Sequence, residues 1–218
     1  MAKILVDVSE IIALASKALL RNGVCQEDVT AIINHLLDGE MSGHSSHGFF
    51  RIPGIVNAAK KANETFDIFV EQETSNSTLL NGGNRQGLVV ALKGMEIAIN
   101  KAKGNRIAIV GGHKYVGTTG SMGYYTRKIA DQGLIGFMVA GSAEGVSPWG
   151  SREMILGTNP ISIGIPRKAE PIVIDLATAK WSYGDLSLAM MEGRSIPEGI
   201  VLDKDGNPST DPHDADNG

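Results

Sequence analysis

Between residues 87 and 174 the spacing of apolar residues switches back and forth between two periods, and that alternation limits the fold more than any other feature. From Gly87 to Ala102, Leu88, Ala91, Leu92, Met95, Ala98 and Ile99 share one face of a helix. Ile107-Ala108-Ile109-Val110 is a short apolar run closed by Gly111-Gly112, the pattern of a buried strand. A helical stretch follows around Gly123 to Asp131, and Leu134 to Ala140 is a second apolar strand closed by Gly141. Ile161-Ser162-Ile163-Gly164-Ile165-Pro166 and Ile172-Val173-Ile174 read as further strands. Helix and strand in alternation imply an α/β fold, a sheet with helices packed on it.

Ahead of this region the spacing is mostly helical. Asp7 and Ser9 can cap a helix whose apolar face is Ile11, Ile12, Ala15, Ala18 and Leu19. Asn22-Gly23 stops it. A second helix follows Gln26, with Val29, Ile32, Ile33, Leu36 and Leu37 as its buried stripe, and ends between Gly39 and Gly43. A third is expected from about Gly48 toward Lys61, and residues 63–81 read as short strands ending at the turn Asn81-Gly82-Gly83-Asn84. The chain therefore divides into a helical segment, residues 1–80, and an α/β domain, residues 81–218. The latter ends in a polar tail, Leu202 to Gly218, rich in Asp, Asn and Pro and without a core of its own.

Composition excludes several classes of function. A chain of 218 residues makes one large domain or two small ones, and 42% hydrophobic with 20% charged residues is ordinary for a soluble globular protein. The net charge is −4 and the Lys and Arg residues are scattered, so no basic patch for nucleic acid is expected. The start, Met1-Ala2-Lys3-Ile4-Leu5-Val6-Asp7, meets an acid before any long apolar run, unlike a signal peptide. No apolar stretch is long enough to span a bilayer, so no membrane is expected and a cytoplasmic location follows by default. The single cysteine, Cys25, excludes an intramolecular disulfide and a cysteine-based zinc site, and reads as a small hydrophobe near a helix end.

The chemistry concentrates in Gly43-His44-Ser45-Ser46-His47-Gly48-Phe49-Phe50-Arg51-Ile52-Pro53, where a hydroxyl, an imidazole and a guanidinium lie within two helical turns. Histidine moves a proton near neutral pH. Arginine holds a carboxylate through two parallel hydrogen bonds. Such a segment suits a small carboxylic acid that gains or loses a proton at a neighbouring oxygen or nitrogen. His44 and His47, three apart, would need further metal ligands. Only His35 and His113 are available before the tail, so no metal is expected.

Other segments can hold a ligand. The run Gly111 to Gly123 is a glycine-rich strand-to-helix turn whose amides and helix start suit a pyrophosphate, the competing view being a plain flexible loop. No Gly-x-Gly-x-x-Gly follows a strand and no phosphate-binding loop ends in Gly-Lys-Ser or Gly-Lys-Thr, so any nucleotide is held by other means. Gly157-Thr158-Asn159-Pro160 is a turn able to point hydrogen-bonding groups into a cleft. Asp175-Leu176-Ala177-Thr178 closes a strand, and α/β proteins keep ligands beyond strand ends. Asp185 is an acid able to orient an imidazole.

These motifs, together and in this order, resemble the malate/L-lactate dehydrogenase family, whose NAD(P)-binding fold is not a Rossmann fold. That family also contains ureidoglycolate, sulfolactate and diketogulonate dehydrogenases and reductases of cyclic imino acids. Gln132-Gly133-Leu134-Ile135-Gly136, Ser147-Pro148-Trp149-Gly150-Ser151-Arg152-Glu153, Ile196-Pro197-Glu198-Gly199 and Leu202 to Pro212 match as well. The resemblance implies a mixed-sheet, non-Rossmann nucleotide-binding domain over residues 81–218 and a substrate and dimerisation segment over residues 1–80. It implies a homodimer, a small carboxylic-acid substrate and NAD or NADP as cofactor. It implies His47 as the acid/base, Ser46 as the group that sets its tautomer, Arg51 as the carboxylate clamp and Thr158 beside the substrate. The loop from His113 through Gly117, Thr118, Thr119 and Gly120, together with Ser142, Asp175, Leu176 and Ala177, would contact the cofactor.

Three departures from the family pattern follow. The histidine expected before the glycine turn is matched by either His113 or Tyr115, because His113-Lys114-Tyr115-Val116-Gly117 carries extra residues. Asp185 stands where malate-type members often have lysine, and resembles the imino-acid reductases, where an acid completes a relay with the serine and histidine. The family continues beyond Asp211-Pro212, so its C-terminal portion is expected to be missing from this chain. The expected reaction is interconversion of a 2-oxo acid and its 2-hydroxy acid, malate or lactate first. Reduction of a cyclic imino acid, or an incomplete, inactive fragment of either enzyme, is the alternative.

Overall fold

In a computed structural model, which describes residues 4–62 and 64–216, the N-terminal pattern forms three helices. Helix α1 spans Val8–Arg21, and the Asp7 carboxylate accepts the amides of Ser9 and Glu10, as a capping residue should. Helix α2 spans Gln26–Met41 and α3 spans Ile52–Lys61, with Pro53 in its first turn, where a missing amide costs nothing. Ala15 and Leu19 of α1, Val29, Ile32, Ile33 and Leu36 of α2 and Ile55 of α3 close one core. Each large aliphatic side chain buried there contributes about 1.5–3 kcal/mol. Residues 1–3, 63, 217 and 218, which open the chain, begin the expected strand region and end the polar tail, lie outside the described residues.

Strands β1 (Phe69–Glu73) and β2 (Ser77–Asn81) pair antiparallel, and β2 pairs in parallel with β3 (Ile109–His113). The parallel pair needs a crossover, which is α4, Gly87–Asn105. Strand β3 starts two residues later than the apolar run at Ile107 because its register is set by β2, Ser77 facing Ile109 and Asn81 facing His113. Helix α5 (Gly123–Ala130) follows, and β4 (Gly136–Val139), β5 (Ile161–Ile165) and β6 (Ile172–Leu176) form a second three-stranded sheet in that order. Helix α6, Tyr183–Glu192, went unread in the sequence, where its apolar residues Tyr183, Leu186, Leu188, Ala189, Met190 and Met191 surround the axis instead of marking one stripe.

The described residues cluster into two compact units, one of residues 4–136 with 163–173, the other of residues 137–162 with 174–216. Strand β2 is locked to β3, and Leu88 of α4 belongs to the core of α1–α3. The second unit has a small core of Leu186, Ala189, Ile196 and Val201. The tail differs from expectation here. Strands β7 (Val201–Leu202) and β8 (Pro208–Ser209) pair as a hairpin, and Ala215 packs on that core. The Asp203 carboxylate holds the hairpin turn by accepting the amides of Asp205 and Asn207. Among the described residues no helix is long and apolar enough to cross a membrane.

The first turn of α2 is anchored electrostatically. Arg85 donates from Nε to Asp28 Oδ2 at 2.7 Å and from Nη2 to Asp28 Oδ1 at 2.5 Å, with both residues buried. This forked, charge-assisted pair raises the Arg85 pKa further. Removing one partner leaves a buried charge uncompensated. Asp28→Ala is therefore expected to lower unfolding stability by about 3–5 kcal/mol, read from urea denaturation.

Candidate functional site

Helix α2 runs out at Met41, and two 3-10 turns, Ser45–His47 and Phe49–Arg51, carry the chain from it to α3. Glu40 in the last turn of α2 shapes them. Its Oε1 accepts the Phe49 amide at 3.0 Å and its Oε2 accepts the Ser45 hydroxyl at 3.2 Å. Within this tight backbone Ser46 is 7% exposed, and its Oγ lies 3.2 Å from His47 Nδ1. Arg51 Nε donates to the Ser46 carbonyl at 2.7 Å. Ser46 thus touches both the imidazole and the guanidinium, and all three groups of the sequence motif come together. His44 is exposed. No group of three His, Cys, Asp or Glu side chains is arranged for a metal among the described residues.

The glycine-rich loop belongs to the same compact unit. It lies across the turn after β2: the Gly82 and Asn84 amides donate to the carbonyls of His113 and Lys114, the Val116 amide donates to the Arg85 carbonyl, and the Gly87 amide donates to the Val116 carbonyl. His113 ends β3, and its Nε2 bonds Glu71 of β1. Gly117 and Gly120 have φ of +73° and +72°. The Gly120 amide donates to Thr118 Oγ1 at 2.9 Å, the Ser121 amide donates to His35 Nε2 at 3.0 Å, and the Tyr125 hydroxyl donates to the Thr119 carbonyl at 2.8 Å. Met122, Gly123 and Tyr124 at the start of α5 are buried. The loop is therefore a fixed turn rather than a flexible one, with two of its amides bonded inside the protein.

His35 is 2% exposed and lies between the rings of Tyr124 and Tyr125, at centroid distances of 4.7 and 5.3 Å. Burial, with the positive fields of His47 and Arg127 added, pushes its pKa down to about 3. It is neutral at working pH, with Nε2 accepting and the proton on Nδ1, which has no hydrogen-bond partner among the described residues.

The other unit gathers a second group of candidates. Ser142 Oγ lies 3.0 Å from Thr158 Oγ1 and accepts the Asn159 amide at 3.1 Å, while the Ser142 amide donates to Asn159 Oδ1 at 3.1 Å. Thr178 donates to the Thr158 carbonyl from its amide at 2.9 Å and from its hydroxyl at 3.1 Å. Gly157 is required here, since a Cβ would stand 2.5 Å from Ser142 Oγ and 2.7 Å from Asn159 Oδ1. Ser142, Thr158 and the segment after Asp175, Leu176 and Ala177 are thus stitched together. Asp185 sits in this unit too, where Ser182 Oγ donates to its carboxylate at 2.7 Å and accepts its amide at 3.1 Å, closing the N-terminus of α6. His47 and Asp185 belong to different units.

Asn159, read in the sequence with Thr158 as a hydrogen-bonding group of its turn, takes part here. Three other participants were not singled out in the sequence. Thr178 stands inside a quoted motif, which was the available signal. Glu40 and His35 had none, because both act on segments that only folding brings near.

Residues 6–218 match the family model described as malate/L-lactate dehydrogenase. The malate/(S)-sulfolactate dehydrogenase of Methanothermus fervidus is 38% identical over 208 residues, 94% of this chain and 61% of the relative. A Pseudomonas syringae Δ1-pyrroline-2-carboxylate/Δ1-piperideine-2-carboxylate reductase is 30% identical over 221 residues, 95% of this chain and 61% of the relative. The crystal structure of malate dehydrogenase from Entamoeba histolytica superposes with a TM-score of 0.90 at 29% identity, covering 98% of this chain and 60% of that one. The chain spans about three fifths of the length of these relatives.

The depressed pKa of His35 has a signed consequence. Folding disfavours its protonated form, so its contribution is present above the unfolded pKa of about 6.5 and is lost as pH falls below it. His35→Gln, which keeps an acceptor for Ser121, should flatten the acid loss of stability by about 1.4 kcal/mol per pH unit between about pH 6 and 4. Urea midpoints across that range measure the slope.

Proposed function

Because the chain belongs to the malate/L-lactate dehydrogenase family, we propose that its residues serve hydride transfer between NAD(P)H and a small 2-oxo acid of the malate or lactate type. The observation that carries this reading is the Ser46–His47–Arg51 arrangement, an acid/base and a carboxylate clamp built on one serine. Relatives named for NAD(+) and for NADP(+) both occur in the family.

The donor sets fit a nicotinamide dinucleotide in kind. The linked hydroxyls of Ser142 and Thr158 and the side chains of Thr118 and Thr119 suit ribose and phosphate oxygens, and the Asp175 carboxylate suits ribose hydroxyls. At Gly157 the backbone packs so closely on Ser142 and Asn159 that no side chain fits. When bound, the reduced nicotinamide supplies the hydride. His47 moves the proton. With Nδ1 facing Ser46 Oγ, the proton given to the substrate oxygen leaves from Nε2, and the neutral ring keeps Nδ1–H toward the serine. Arg51 has its Nε committed to the Ser46 carbonyl, so the clamp on the substrate carboxylate is assigned to its Nη end. Held this way the substrate carbonyl stands in one orientation, which lowers the entropy cost of hydride transfer.

Reduction of a cyclic imino acid is the second reading. It is supported by Asp185, an acid at the position discussed above, and by the reductase relative. The same His47 would then protonate a nitrogen.

Full chain mixed with NADH or NADPH and a panel of 2-oxo acids plus piperideine-2-carboxylate separates the two readings by absorbance at the nicotinamide band. Oxidation with a 2-oxo acid supports the first, oxidation with the imino acid alone supports the second, and none with any substrate overturns both. His47→Ala is expected to lower kcat by about 10²–10⁴ while cofactor binding persists. Arg51→Ala is expected to act mainly on the KM of the acid, raising it by about tenfold or more through loss of a charge-assisted pair.

A further inference from the structure

We propose that His35 is a positioning residue for the loop Gly117–Ser121, fixing the backbone on which that loop would meet the nicotinamide cofactor; this rests on the reading of the loop given under Proposed function. His35 takes no part in the chemistry assigned to His47, and its place in a hydrophobic core is costly. Its Nδ1 is a buried donor without a hydrogen-bond partner among the described residues, and such a group typically costs about 1–3 kcal/mol. An aliphatic side chain would fill the stripe of α2 without that cost. What the imidazole provides is one acceptor, Nε2, aimed at the Ser121 amide at 3.0 Å.

The loop is shaped to receive it. A Cβ on Gly120 would fall on His35 Nε2, and the φ of +72° at Gly120 turns the backbone so that the next amide points at the ring. On the far side the Tyr125 hydroxyl donates to the Thr119 carbonyl at 2.8 Å, and Tyr125 is itself one of the rings against His35. The Thr118 hydroxyl accepts the Gly120 amide at 2.9 Å. Every peptide unit from Thr119 to Ser121 is therefore held by at least one bond, and His35 supplies the only one of these that comes from α2. Seven residues further along α2 from His35, at Ser42, the helix gives way to the turn that carries Ser46 and His47. The imidazole thus ties the loop proposed to meet the cofactor to the same helix that carries the acid/base. Arg127 of α5 repeats the tie by donating to Asp38 Oδ2 at 2.6 Å.

His35→Leu removes the acceptor, His35→Gln keeps one, and His35→Asn keeps one too short to reach Ser121. The full chain and each variant are titrated with NADH and NADPH by fluorescence, and exchange of the Ser121 amide is followed by ¹⁵N NMR. The expected result is a loss of cofactor affinity of about tenfold in His35→Leu and His35→Asn, the worth of one hydrogen bond, with faster Ser121 exchange. His35→Gln is expected to return within about threefold of the parent chain, which a purely space-filling role would not produce. In steady state the change should fall on the cofactor KM and leave the KM of the acid in place. Equal affinity in the parent and His35→Leu, or equal losses in His35→Leu and His35→Gln, overturns the assignment to His35 alone. A parent chain that binds neither cofactor overturns the reading of the loop and this inference with it. If His35→Leu does not fold, His35→Asn against His35→Gln decides the matter by the same comparison.

Discussion

One helix holds the functional segments of the N-terminal compact unit in register, and it does so through its polar side chains rather than its apolar stripe. Along α2, Asp28 is forked to Arg85, His35 accepts from Ser121, Asp38 accepts from Arg127 and Glu40 accepts from Phe49. These partners lie at the entrance to α4, in the glycine loop, in α5 and in the turn of His47. The apolar residues Val29, Ile32, Ile33 and Leu36 supply the burial energy, but burial is non-directional and would tolerate small slides of one helix on another. Hydrogen bonds to a buried carboxylate or imidazole do not, because a displaced partner leaves a desolvated polar group unmatched. The geometry of the site follows from where these bonds close.

The same contrast explains how much could be read from the chain. The three-helix start, the capping role of Asp7 and the alternation after residue 87 are written in local periodicity, and they appear as expected. The contacts of Ser46 with His47 and Arg51 are local too, since a five-residue separation in a tight turn leaves few alternatives. Helix α6 and the hairpin of Val201–Leu202 with Pro208–Ser209 were not visible, because their stability comes from packing onto one another and not from a clear stripe. The loop Gly117–Ser121 was legible as a turn but not as a rigid one. Its rigidity depends on Tyr125 and on His35, 86 residues away from Ser121.

Family membership adds a frame for these observations. Two groups of the residues that the resemblance implicates stand out, one around Ser46 and His47, the other around Ser142, Thr158 and Thr178. Each group is internally bonded within its own compact unit. Asp185 has a structural occupation as well, since its exchange of bonds with Ser182 starts α6. The part proposed for Asp185 in imino-acid reduction would have to coexist with that contact.

By itself the amino-acid sequence determined the class of fold, the family, and which residue types are able to move a proton or bind a carboxylate, because periodicity and short motifs are properties of neighbours in the chain. The tertiary structure alone decided which neutral and charged groups support them. That Asp28 is spoken for by Arg85, that Ser142 faces Thr158, and that a histidine in the apolar stripe of α2 is held neutral and set against the Ser121 amide are all matters of distance across 16 to 86 residues of chain. No local pattern encodes such pairs. They arise when the core closes, and a buried polar group has to find whatever partner the fold has brought within reach.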